Sequence, residues 1–241
     1  MDIKELTLQC DELMEKVLTP LVNQIIDENK LPSSARTEIY ALLTGSSAHE
    51  VLKQGFEVIF QDLSHTLSPD SWEKLSEEWL NAIVKALNLN TLLEANEKAS
   101  NDPNDYSKQK LLGISDETLE NFYNVALKNF NNKDFIKAKA AFSVVLWLSP
   151  LRFNPWMGLG LATQALEETG IALNAFAFAT LTDPCSVLPH LHSAECYLKK
   201  NEKSDAIDTL TLAFDTLKKY PCDDQQIIEE HLRRLKQQCS K

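Results

Sequence analysis

The sequence predicts an all-α protein, and three observations carry that prediction. A pattern of small and large apolar residues recurs three times at a 34-residue period between Leu119 and Lys218. Outside it, apolar side chains recur at the three- and four-residue spacing that lines one face of a helix. Only six glycines interrupt 241 residues that are 44% hydrophobic, enough for one large or two small helical domains.

In chain order, Ile3, Leu6, Leu13, Met14, Val17 and Leu18 mark a first helix that Pro20 interrupts or kinks. A second follows through about Asn29, and Thr37 to Leu43 suits a third. A fourth begins at Ser46 or Ser47, a capping serine three residues before His49 or Glu50. Its apolar face is Val51, Leu52, Phe56, Ile59, Phe60 and Leu63. Ser68-Pro69-Asp70 is the strongest start signal, a cap with proline at the first helical position, leading into Trp72, Leu75, Trp79, Ile83, Ala86 and Leu87. Residues 96–110, NEKASNDPNDYSKQK, have almost nothing to bury and read as a linker. The expected division is therefore an N-terminal helical region over 1–95, the linker over 96–110, and a repeat domain over 111–241 that folds alone.

The repeats count from Leu119, Phe153 and Val187. The eighth residues are Ala126, Gly160 and Ala194, and the twentieth are Ala138, Ala172 and Ala206. The twenty-fourth are Phe142, Phe176 and Leu210, the twenty-seventh Val145, Ala179 and Ala213, and the thirty-second Pro150, Pro184 and Lys218. This spacing is the tetratricopeptide signature, in which small residues let two helices approach and a large one fills the gap between them. Three such repeats form a short superhelix with a concave groove. The turns between paired helices carry Lys133, Glu167 and Asn201. Only asparagine suits a left-handed turn, so the first two turns are expected to differ in shape. Asp224 caps a last helix with Ile227, Ile228, Leu232 and Leu235 on its apolar face, a cover for the third repeat.

Charge and motifs narrow the function. The net charge of -11 is concentrated before residue 111, where 19 acidic side chains outnumber 10 basic ones. Binding a polyanion needs clustered Lys and Arg, and the densest cluster, Arg233-Arg234 with Lys236, reads as a solvated helix face. Nucleic acid is excluded as a partner on that ground. No apolar run reaches about 18 residues and no signal-peptide pattern opens the chain, so a cytoplasmic protein without stable membrane insertion is expected. Cys10, Cys185, Cys196, Cys222 and Cys239 form no CxxC pair and read as reduced thiols. His190 and His192 are two apart on a helix, the wrong spacing for chelation. No hydrolase, phosphate-loop, metalloprotease or dinucleotide motif occurs, so the reading is a protein without enzymatic activity, metal or cofactor.

What the repeats offer is a groove lined by the first helix of each pair. Helical periodicity places Glu120, Tyr123, Leu127, Phe130 and Asn131 there from the first repeat. The second gives Asn154, Met157, Leu161, Gln164 and Ala165, and the third Leu188, Leu191, Glu195, Leu198 and Lys199. This surface is mainly apolar. The Lys, Asn and Arg set with which co-chaperone tetratricopeptide domains clamp a C-terminal carboxylate is replaced here by Tyr123, Leu127, Gly158, Leu188 and His192. An extended apolar peptide with a few anchoring side chains suits such a groove.

Several segments carry a resemblance. Gly113-Ile-Ser-Asp-Glu-Thr-Leu-Glu120, Phe122-Tyr123, Leu159-Gly160-Leu161, Ala165 and His192-Ser-Ala-Glu-Cys-Tyr197 look like the SycD/LcrH family of class II type III secretion chaperones, over about residues 111–220. The resemblance implies a bacterial cytoplasmic chaperone that holds an extended segment of a hydrophobic secreted translocator protein in the concave groove. By position, it assigns groove roles to Tyr123, Leu127 and Phe130, extended by Met157, Leu161 and the third-repeat leucines. In the family a short N-terminal extension contributes to a homodimer. More than 100 residues precede the first repeat here, and dimerisation, a second cargo surface and a dock on the secretion machinery stay open for them. The rival reading is a tetratricopeptide scaffold or regulator joining cytosolic partners.

Overall fold

The computed structural model describes residues 46–87 and 108–239. The helices expected before Ser46, and the linker as far as Ser107, lie outside them. Every regular element among the described residues is a helix. They fall into two compact units that divide after Leu151.

The first unit contains α1 (Ser46–Thr66), α2 (Pro69–Leu87), α3 (Lys108–Leu112), α4 (Asp116–Asn131) and α5 (Phe135–Leu148). α1 starts where the serine signal places it, and Leu52, Phe56, Ile59, Phe60 and Leu63 are buried along one face. That face packs on α5 and α4. Ser68 caps α2, its Oγ accepting from the Ser71 amide at 3.2 Å, and α2 adds Leu75 and Trp79 to the same core. Phe56, Phe60, Trp79, Phe122 and Trp147 form one aromatic cluster, with ring centroids 4.9 to 6.1 Å apart in the contacting pairs. Such pairs contribute about 0.5–1.5 kcal/mol each beyond their buried area.

Two details join the N-terminal helices to the first repeat. At Gly55, a Cβ would lie 2.3 Å from the carbonyl oxygen of Ala140, so α1 and α5 approach too closely there for any side chain. The Glu78 carboxylate of α2 accepts from the Ser115 amide at 2.5 Å and from its hydroxyl at 3.1 Å. The same Ser115 hydroxyl oxygen caps α4 by accepting from Thr118 N at 3.1 Å, and a carboxylate is favoured at that helix end. Helices α1 and α2 thus pack directly with the first repeat. Residues 108–110, expected as linker, open α3 instead; polar Gln109 is buried because its side-chain amide donates to Asp116 Oδ1 at 2.7 Å.

The second unit contains α6 (Phe153–Ala165), α7 (Thr169–Thr182), α8 (Leu188–Lys199), α9 (Lys203–Lys219) and α10 (Gln225–Cys239). With α4 and α5, the pairs α6/α7 and α8/α9 are the three hairpins that the repeat predicts. The residues at positions eight, twenty, twenty-four and twenty-seven are buried in all three. Gly160 shows why position eight is small, since a Cβ there would fall 2.4 Å from the Phe176 ring. Helices α5 and α7 end at Leu148 and Thr182, two residues before Pro150 and Pro184.

The turns correct one expectation. Lys133, Glu167 and Asn201 all adopt left-handed backbone, with φ of 62°, 62° and 61°. In each, the residue after it returns an amide bond to the carbonyl five residues back, namely Asp134 to Asn129, Glu168 to Thr163 and Glu202 to Tyr197, at 2.9–3.0 Å. This helix-ending motif satisfies orphan carbonyls. Hairpin closure therefore overrides the preference of lysine and glutamate for negative φ, and the three turns share one shape.

α10 packs on α9 and α8. Leu232, Leu235 and Cys239 are buried with Val187, Leu191, Leu210 and Leu217, and Ile228 packs against them. Ile227, expected on this face, is 70% exposed because it lies one residue behind the 228, 232, 235, 239 stripe.

Candidate functional site

The second unit contains a cavity of about 600 Å³ lined by Leu161, Gln164, Ala165, Glu195, Leu198, Lys199, Leu235 and Gln238. Three helices build it. The last turn of α6 gives Leu161, Gln164 and Ala165, which share a face at three- and four-residue spacing. α8 gives Glu195, Leu198 and Lys199 by the same spacing, and α10 gives Leu235 and Gln238.

Its lining is half apolar, from Leu161, Ala165, Leu198 and Leu235, and half polar, from Gln164, Glu195, Lys199 and Gln238. The Glu195 side chain is 22% exposed, and Oε2 accepts from Gln164 Nε2 and lies against His192 Nδ1, both at 3.0 Å. Oε1 lies 3.1 Å from His231 Nε2 on α10. Burial pushes this carboxyl up, but the hydrogen bonds of His192 and Gln164 and the charges of His192 and His231 outweigh it and hold it below the usual carboxylate range. His192 is also stacked on Phe176, with centroids 5.5 Å apart. Nearby Cys196 is buried and its thiol is pushed up to about 11, chiefly by that burial, so it is a packing residue and a poor nucleophile.

Of the residues expected in the groove, Leu161, Gln164, Ala165, Glu195, Leu198 and Lys199 come together in this cavity. Met157 and Leu191 do not: Met157 packs with Phe176, Ala179 and Cys196, and Leu191 with Val187, Leu210 and Leu232. Asn154 and Leu188 are exposed. In the first unit, Tyr123, Leu127 and Phe130 are half-buried, with Tyr123 against Phe142 at 6.0 Å and Phe130 against Phe135 at 5.5 Å. Leu235 and Gln238 were missed because α10 reads only as a cover. The signal was its spacing, since His231, Leu235 and Gln238 stand at i, i+4 and i+7 on one face. Among the described residues, no group of three His, Cys, Asp or Glu side chains is placed to hold a metal ion.

No family model matches the chain. It is 27% identical over 108 residues to low calcium response locus protein H of Yersinia pseudotuberculosis serotype I (strain IP32953), a match covering 45% of this chain and 64% of that protein. The same protein of Yersinia pestis is 28% identical over 100 residues, covering 42% of this chain and 60% of the relative. This chain resembles the SycD/LcrH translocator chaperones. The matched segments thus span less than two thirds of these relatives. The Yersinia enterocolitica type III secretion translocator chaperone SycD has the same fold at 22% identity, with a TM-score of 0.50 over 54% of this chain and 95% of its own. A second structure of SycD holds a peptide of the translocator YopD, and matches at a TM-score of 0.50 and 22% identity over 53% of this chain and 95% of its own. A CopN–Scc3 complex matches at a TM-score of 0.51 and 23% identity, over 60% and 85% of the two chains.

Proposed function

We propose that this protein is a bacterial cytoplasmic chaperone of type III secretion, which keeps a hydrophobic translocator protein soluble by holding an extended segment of it before export. The observation that carries the reading is the cavity of the second unit, which is lined by six of the side chains that helical periodicity assigns to the groove. Leu161, Ala165, Leu198 and Leu235 offer an apolar seat for one anchoring side chain, and Lys199 and Gln238 offer polar partners to a peptide backbone. Tyr123, Leu127 and Phe130 are proposed as further contacts. The relatives named above support this reading, and SycD holds a YopD peptide.

Such a protein needs no chemistry on its cargo. It lowers the free concentration of an aggregation-prone segment by covering its anchors, and a short extended segment that orders on binding has an affinity of about -8 to -10 kcal/mol. The test is co-purification from the native cytoplasm, with parent and Leu161→Ala/Leu198→Ala proteins compared by mass spectrometry. Recovery of a hydrophobic secreted protein by the parent, and its loss from the double variant, is expected, with each leucine contributing about 2 kcal/mol as a buried anchor contact. Equal recovery of folded cytosolic partners by both proteins would replace this reading with that of a scaffold.

A further inference from the structure

The cavity is made by three helices, and one carboxylate touches a polar side chain on each. Glu195 belongs to α8 and contacts His192 one turn earlier on that helix. Its Oε2 takes the amide of Gln164 from α6, and its Oε1 faces His231 of α10. All three contacts are 3.0–3.1 Å, within ordinary hydrogen-bond distance. His231 stands one turn before Leu235, the α10 residue that walls the cavity. Apolar packing of Leu232 and Cys239 holds α10 against α8 and α9 but is non-directional. A hydrogen bond has a direction and a length, so it fixes the helix rotation that decides where Leu235 and Gln238 point.

We infer that Glu195 is the positioning residue of the cavity: through Gln164, His192 and His231 it sets the spacing of α6, α8 and α10, which makes the C-terminal helix a working wall of the binding surface. The inference deepens the chaperone reading and rests on it only for what enters the cavity. It changes the job that sequence spacing gives Glu195, from a side chain that meets cargo to one that holds the walls cargo meets. It also assigns a role to His231, which lies outside the repeats altogether. Because the carboxylate already faces three partners, the seat it frames suits an apolar anchor and offers no free anion to a cationic one.

Amide hydrogen exchange on the full chain without any ligand tests the positioning. Glu195→Ala is expected to speed exchange about fivefold along both Gln225–Cys239 and the last turn of α6, leaving Ala206–Leu217 unchanged. His231→Leu should affect only the former and Gln164→Leu only the latter, and these two variants decide the matter if Glu195→Ala fails to fold. Glu195→Gln keeps a carbonyl acceptor and should restore most of the protection. Unchanged exchange in α10 on loss of Glu195 or His231 would overturn the inference. Fluorescence anisotropy with a labelled octapeptide carrying leucine at alternate positions adds the functional arm. The parent should bind it, with Glu195→Ala about tenfold weaker and Glu195→Gln within about threefold of the parent. A parent that does not bind this probe removes the chaperone reading and leaves the exchange result standing on its own.

Discussion

Lys133 and Glu167 sit at φ near +62°, a conformation that costs a residue with a Cβ about 1–2 kcal/mol. Glycine removes that cost and loses part of the gain to its freer unfolded chain. Lys133→Gly and Glu167→Gly are therefore expected to stabilise the protein by about 0.5–1 kcal/mol each, read as a higher urea midpoint. Asn201→Gly should gain less, since asparagine tolerates this region. Lys108 makes a second prediction at this scale. Its ammonium lies 5.0 Å from the Trp147 ring centre, and burial lowers its pKa to about 8. Below pH 8 the lysine is charged in both states and the folded state bears the whole desolvation cost. Between pH 8 and the unfolded value near 10.4 the folded protein loses the proton while the unfolded chain keeps it, so stability rises with pH across that window. Lys108→Met should be more stable than the parent at pH 7 by about 1–3 kcal/mol, and the difference should shrink toward pH 10. Matched chemical denaturation curves at the two pH values check the sign.

Among the elements, α1 and α6 depend on glycines with no room for a side chain. Gly55→Ala sets a methyl group against the backbone of α5, which cannot move as a side chain can. A loss of more than 2 kcal/mol is expected by calorimetry, at the upper end of overpacking costs. At Gly160 the obstacle is the edge of the Phe176 ring, and Gly160→Ala should cost about 1–3 kcal/mol. The repeat hairpins were legible because each needs the same small and large residues at the same places, so three weak signals reinforce one another. The start of α2 was legible from Ser68 and Pro69 alone. The shape of the turns was not legible, because propensity at one residue does not contain the hairpin that closes over it. The partners of α1 were invisible in sequence, because an amphipathic stripe says that a face is buried and not what buries it. At the candidate site, periodicity groups the first-helix face of repeats two and three, whereas Met157 and Leu191 are turned inward by the helix packing that periodicity alone does not include. α10 escaped because it follows the last repeat and has no counterpart in the other two.

For the whole molecule, the structure alters what a truncation should do. Sequence spacing expects residues 111–241 to fold alone, whereas Phe122 and Trp147 of the first repeat are buried in contact with Phe56, Phe60 and Trp79 from outside that fragment. A chain starting at residue 111 should melt well below the full protein and bind a dye for exposed apolar surface, and an unchanged melting temperature would show the N-terminal helices to be dispensable. A related consequence concerns time. Phe56 is polymerised about 90 residues before Trp147, whose ring packs against it, which at roughly 5–20 residues per second leaves it waiting some 4–18 seconds. For that interval the nascent chain presents to the crowded cell the kind of sticky surface that the finished protein is proposed to cover in others. A ribosome that pauses anywhere between those two aromatic residues prolongs it, so codon choice over that stretch bears on yield with no change in any amino acid.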